Sequence, residues 1–168
     1  DSRRPILIED LAEFRRAGAP KFAPDGSYLV FPVAKPNFET NKNETHLYRL
    51  PAGGGEPVRL TSQGTMNNDP AFSPDGRHIA FTSNRSGEPQ IWLLPTDGGE
   101  ARQVTRRKLG MRRPVWFPDG RRLLAVSSVY PDASDDAAIA AREKAREESG
   151  TKERVIDRLF FRHWDSWI

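Results

Sequence analysis

The chain has 168 residues, 36% of them hydrophobic, with 26 basic and 23 acidic side chains for a formal charge of +3. That length holds one hydrophobic core, the small net charge does not make nucleic acid the default partner, and no stretch approaches the roughly 20 apolar residues of a membrane helix. With no cysteine, disulfides, thiol catalysis and thiolate metal sites are excluded. The chain starts at Asp1, so an upstream segment (a signal peptide, a tag or a larger part) is expected to be missing. The compartment stays open between periplasmic or secreted, after signal-peptide removal, and cytoplasmic.

In chain order, Glu9-Asp10-Leu11 reads as a short N-terminal helix within a lead-in over residues 1–19. Three copies of one pattern follow. Pro20-Lys21-Phe22-Ala23-Pro24-Asp25-Gly26 recurs as Pro70-Ala71-Phe72-Ser73-Pro74-Asp75-Gly76 and as Pro114-Val115-Trp116-Phe117-Pro118-Asp119-Gly120. The later two are 44 residues apart, and a second block keeps that offset: His46 to Glu56 aligns with Gln90 to Glu100, and Leu60-Thr61 with Val104-Thr105. The first spacing is 50, which places six extra residues in the polar stretch Lys35 to Thr45.

Each pattern has a mechanical reading. Pro-Asp-Gly is a turn: Pro presets φ, Asp bonds nearby backbone and Gly accepts positive φ. It joins strands ending at Phe22, Phe72 and Trp116 to Tyr28–Phe31, His78–Ser83 and Leu123–Val126, apolar runs of the kind found in strands covered on both faces. Leu47–Leu50 and Ile91–Leu94 are third strands. Gly-rich turns at 52–55 and 96–99 then lead into short fourth strands ending at Thr61 and Thr105. Four strands repeating near every 44 residues predict β-propeller blades. Blade 1 covers about 17–61 and blade 2 about 64–105, while 114–130 is only the start of blade 3.

The predicted fold class is therefore all-β: a partial β-propeller of about two and a half four-stranded TolB- or WD-repeat-like blades over 20–130, with a helical arm inserted near the C-terminus at 131–168. Closed propellers use about 4–8 blades, so the chain reads as a fragment of a larger protein. The alternative is a complete, small, open β-protein.

Beyond Tyr130, Pro131-Asp132 ends the strand, and Ser134 with Asp135 and Asp136 suggests a helix N-cap followed by acids. Ala137 to Glu148 is rich in helix formers and Ser149-Gly150 suggests its end. Val155, Ile156, Leu159, Phe160 and Trp164 follow a roughly helical spacing, with an extended reading left open. An excursion this long where a blade should continue is more than an ordinary hairpin connection.

The Glu9-Asp10-Leu11 lead-in, the Phe-Ser-Pro-Asp-Gly turns and, above all, Ser127 to Asp132 followed by the Ala/Arg/Glu helix and Val155 to Asp165 resemble bacterial prolyl oligopeptidase-family serine peptidases, in the acylaminoacyl-peptidase and dipeptidyl-peptidase branches. The blade pattern alone also resembles any TolB-type propeller. The resemblance implies a propeller that covers a C-terminal α/β-hydrolase domain and admits short peptides, releasing dipeptides or acylated amino acids. No Gly-x-Ser-x-Gly elbow occurs in the sequence, so no catalytic residue transfers to this chain, which alone should be inactive. Neither cofactor nor metal is implied: His163-x-Asp165 offers two ligands without a third.

Candidate substrate-binding residues lie in the arm: Trp164, Asp165, Arg162 and Trp167. Glu143, Glu147 and Glu148 read instead as a solvated face paired with Arg142, Lys144 and Arg146. Tyr48 and Trp92 share a repeat position and read as packing residues. Asn43-Glu44-Thr45 and Asn84-Arg85-Ser86 fit the N-glycosylation pattern, which is short enough to arise by chance. The alternative function is a non-catalytic TolB-like propeller acting as a protein-interaction platform.

Overall fold

The computed structural model describes residues 4–130, 135–149, 162–163 and 166–167. The chain divides into two compact units, 1–130 and 131–168.

The first unit opens with a 3-10 helix, Ile8–Glu13. Asp10 reaches back to accept the backbone N–H of Leu7 at 2.8 Å, and Arg4 clamps the same carboxylate at 2.5 and 2.7 Å. The Arg4 guanidinium is the main reason the Asp10 carboxyl is held below the usual carboxylate range. The predicted short helix is present, as a 3-10 rather than an α-helix.

Strands β1 (Arg16–Ala17) and β2 (Lys21–Phe22) both pair with β3 (Tyr28–Asn37), which pairs with β4 (Lys42–Pro51), followed by β5 (Val58–Arg59). β1 and β2 are thus two halves of one interrupted first strand, and this is the first blade. The second contains β6 (Asn67–Phe72), β7 (His78–Ser83), β8 (Gln90–Pro95) and β9 (Arg102–Gln103), neighbours in that order. The third has β10 (Arg112–Trp116) paired with β11 (Leu123–Val126). The β3–β4 ladder runs from Tyr28↔Pro51 to Asn37↔Lys42, whereas β7–β8 runs from His78↔Pro95 to Ser83↔Gln90. The six extra residues of the first repeat therefore lengthen this hairpin, in the stretch where the spacing placed them.

The three Pro-Asp-Gly turns are built alike. Gly26, Gly76 and Gly120 take φ of +71°, +71° and +66°, the left-handed region that glycine enters without steric cost. Their N–H groups bond Ala23, Ser73 and Phe117 carbonyls at 2.9 to 3.0 Å. Asp25 accepts from the Ser27 N–H, Asp75 from the Ser73 hydroxyl and the Arg77 N–H, and Asp119 from the Arg121 N–H. These donors hold all three carboxyls below their ordinary pKa.

The core lies between sheets. Because side chains alternate along a strand, Ile79, Phe81 and Leu94 of the second blade meet Val30 and Leu47 of the first. On its opposite face Ala80, Ile91 and Leu93 meet Met111, Trp116, Leu123 and Ala125 of the third. Trp92 packs against the first cluster, in keeping with a packing role, and the Tyr48 ring lies against Phe31. The expectation that every second strand is covered on both faces holds for β7 and fails for β11. Leu124 and Val126 on β11 are 59% and 61% exposed, because no sheet lies over them among the described residues.

In the second unit, α1 spans Asp136–Ser149. Its first turn is capped by the Asp135 carboxylate, which accepts the Ala138 N–H at 2.8 Å. The cap seen is thus Asp135, and Ser134 lies outside the described residues. Lys144–Glu148 at 3.7 Å and Glu143–Arg146 at 4.0 Å pair along the helix surface, as the solvated-face reading expects. Two-residue strands β12 (Arg162–His163) and β13 (Ser166–Trp167) pair antiparallel. Val155, Ile156, Leu159, Phe160 and Trp164, on which the helical or extended reading was based, fall outside the described residues.

Candidate functional site: a groove along the first strands

The first strands of the three repeats run side by side, and two of them are broken at one repeat position. Asp69 takes φ +54° and Arg113 φ +55°, and the ladder register shifts across each. Both are non-glycine residues in the left-handed region, each followed by proline. Such conformations cost about 1–3 kcal/mol and persist only where surrounding bonds fix them. Here the fixing group is Thr82, 1% exposed on β7. Its hydroxyl donates to Asp69 Oδ2 at 2.9 Å and accepts the Arg113 N–H at 3.1 Å, so one buried oxygen sets the bulge of the second blade and the entry to the third. In the first repeat the corresponding pair is Ala19-Pro20, and the interruption appears as the gap between β1 and β2.

These breaks line a groove of about 750 Å³ bounded by Lys21, Phe22, Asp69, Arg113 and Trp116 together with five prolines. Trp116 Nε1 donates to the Ala71 carbonyl at 3.1 Å, which leaves its N–H satisfied at the groove's edge. Lys21 and Arg113 are exposed, and neither makes an ion pair among the described residues.

A second polar cluster sits where the first two blades meet. His46 on β4 is 7% exposed. Its Nδ1 lies 3.4 Å from the Thr61 hydroxyl and 3.3 Å from Asn67 Nδ2. Thr61 Oγ1 already accepts the Leu47 N–H, leaving its proton to donate, and the Asn67 amide also donates to the Thr45 and Gln63 carbonyls. The two Asn67 amide protons are committed to those carbonyls, so the Thr61 hydroxyl is the donor left for His46 Nδ1. Burial chiefly, then the Arg59 charge, lowers its pKa, with Glu44 opposing. Arg85 spans the cluster. It donates to Ser83 Oγ at 3.0 Å and Asn67 Oδ1 at 3.1 Å, and stacks over Trp92 and Phe81 at 4.7 and 5.2 Å. Asn84, in one glycosylation-like triplet, uses its side chain internally, accepting the Thr65 and Met66 N–H groups.

Among the described residues no three His, Cys, Asp or Glu side chains gather as metal ligands, and no helix is long and apolar enough to cross a membrane. Of the predicted site residues, Arg162 and Trp167 are register partners in the β12–β13 backbone ladder. Trp164 and Asp165, and with Asp165 the His163-x-Asp165 pair, fall outside the described residues. Sequence reasoning missed Asp69, Thr82 and Arg113. The available signal was the X-Pro pair at 19–20, 69–70 and 113–114, since proline cannot donate to a ladder and within a sheet marks an edge or a bulge.

Repeated antiparallel four-stranded sheets, packed face to face with their first strands adjacent, define the β-propeller class. The chain belongs to the TolB beta propeller domain family, whose model matches residues 8–151. Dipeptidyl-peptidase 5 of Porphyromonas gingivalis is 34% identical over 155 residues, covering 87% of this chain and 20% of that protein. Among solved structures, the acylaminoacyl peptidase of Pyrococcus horikoshii matches with a TM-score of 0.59 at 27% identity, over 74% of this chain and 19% of its own. The putative TolB from Agrobacterium tumefaciens matches with a TM-score of 0.53 at 31% identity, over 68% of this chain and 39% of its own. The chain thus spans about a fifth of these peptidases and about two fifths of that TolB.

Proposed function

We propose that this chain is the opening part of the propeller of a longer serine exopeptidase. In that protein it covers an α/β-hydrolase domain and admits short peptides, from which dipeptides or acylated amino acids are released. The observation that carries the reading is the third sheet. β10 and β11 bury Trp116, Leu123 and Ala125 against the second blade, while Val115, Leu124 and Val126 stay 56–61% exposed on the other side. A repeat of this family has four strands and a neighbour on each face, so this sheet has the form of a blade awaiting both. Similarity to a dipeptidyl-peptidase over most of the chain supports the peptidase setting. The catalytic serine, its base and the oxyanion hole would lie in the hydrolase domain, and the propeller would act by excluding folded proteins.

Within this reading the arm carries substrate contacts. In the longer protein, Trp164→Ala or Asp165→Ala should raise KM for short peptide substrates several-fold with kcat little changed. Steady-state kinetics on dipeptidyl and acyl-aminoacyl chromogenic substrates check this, and unchanged KM in both variants removes the arm from binding. The second reading, a non-catalytic TolB-like interaction platform, is favoured by the 31% identity to a putative TolB. It predicts no hydrolysis of either substrate class.

A further inference from the structure

We propose that the groove along the first strands is a binding site for extended, carboxylate-bearing peptides, with Arg113 and Lys21 as the groups that select negative charge. This rests on the reading of the propeller as a peptide-admitting device and specifies which peptides it favours.

The groove's chemistry is restrictive. Five of its sixteen lining residues are prolines, Pro24, Pro32, Pro70, Pro74 and Pro114, and none of these has an N–H to offer. They interrupt the row of main-chain donors that an added β-strand would need. Side chains therefore carry much of the contact. The apolar part is supplied by proline rings, the exposed Phe22 and part of Trp116, whose own N–H is spent on Ala71. This surface suits an extended chain rich in proline or aliphatic residues and carries no preference for charge.

Charge preference comes from three residues. Lys21 and Arg113 are the cations of the lining and Asp69 is its single carboxylate, so the groove is net positive. Asp69 already accepts from Thr82, which satisfies part of its bonding capacity, whereas the Arg113 guanidinium has no carboxylate partner among the described residues. Asn68, neutral, both donates and accepts and does not discriminate. Arg113 is held at φ +55° by the Thr82–Arg113 N–H bond. A bulge of this kind re-aims a side chain, and a strained main chain that serves packing alone would not need a free cation at its apex. A guanidinium can take a carboxylate in two parallel bonds. The carboxylate could belong to an acidic side chain or to the peptide C-terminus, which share this chemistry.

The test uses the full-length protein and three synthetic proline-containing hexapeptides of one backbone sequence. One has two internal Glu and an amidated end, one has Gln at those positions and an amidated end, and one has Gln with a free C-terminal carboxylate. Binding is read by calorimetry at low and moderate salt. The Glu peptide should bind about 10-fold more tightly than the amidated Gln peptide, the size of one charge-assisted hydrogen bond, and moderate salt should shrink that ratio. The free-carboxylate peptide tells whether the C-terminus serves as well. Arg113→Asn, chosen because Asn tolerates positive φ, and Lys21→Gln should each remove most of the preference while leaving the Gln peptide unchanged. Asp69→Asn, which keeps an acceptor for Thr82, should strengthen Glu-peptide binding about 3-fold.

Equal binding of Glu and Gln peptides, no binding of either, or a loss in Arg113→Asn that is the same for both overturns the site. Hydrolysis of chromogenic substrates by the same protein is measured separately. Discrimination without hydrolysis would keep the site and overturn the peptidase reading, and hydrolysis without discrimination would do the reverse.

Discussion

The second blade and the sheet formed by β10 and β11 are built from the same repeat and differ in what lies against them. In the second blade, Ile79 and Phe81 are sealed by the first blade and Ala80, Ile91 and Leu93 by the third, all 5% exposed or less. In the third, Leu123 and Ala125 pack inward while Leu124 and Val126, one residue along, are open. Nothing in the sequence pattern of the two strands separates them, since both are apolar runs after a Pro-Asp-Gly turn. Burial in this architecture is set by the neighbour rather than by the strand, as expected of a stack whose stability is a sum of repeat and interface contributions.

The comparison can be broken most forcefully at Phe81, fully buried between the first two blades. Phe81→Ala should destabilise the protein by about 3–5 kcal/mol, through lost transfer energy and the cavity left behind. Urea denaturation would read this as a lower midpoint, and a loss under about 1 kcal/mol would mean that the two blades do not share a core.

A smaller effect tests the polar seam beside it. His46 has its pKa lowered by burial, so the unfolded chain, with an ordinary value of about 6.5, binds the proton more readily. The resulting stability is present above pH 6.5 and is lost as the pH falls through the folded value. Melting temperature should therefore decline on acidification from pH 6.5 toward 5, before the Asp25, Asp75 and Asp119 carboxylates, held below their ordinary range, begin to titrate. His46→Gln should flatten that interval, and an identical slope in the variant would assign the proton elsewhere.

The parts of this molecule legible in the sequence are those that depend on local chemistry. Pro24-Asp25-Gly26 and its two copies read as turns because proline, an Asx bond and positive φ each act within four residues. The long first hairpin was legible from a spacing of 50 against 44. The seam was not. His46 and Asn67 are 21 residues apart, and their bond exists only because two sheets stack. The bulges at Asp69 and Arg113 were hidden for a related reason: Thr82, which fixes both, belongs to another strand. Helix α1 was read from its composition, and within the Ser134-Asp135-Asp136 start the structure shows Asp135 accepting a first-turn N–H, a choice sequence does not make because Ser, Asp and Asn serve equally well there.

The most direct test, whose expected effect in this chain alone is the smallest, asks whether another part of the working protein covers the open face of β11. Leu124→Ala should be measured in the 168-residue chain and in the proposed longer protein. In the first, where Leu124 is 59% exposed, the change in unfolding free energy should stay within about 0.5 kcal/mol. In the second, with a further sheet packed on it, the loss should reach about 2–5 kcal/mol. The same small value in both would contradict the account and leave β10 and β11 as an outer wall.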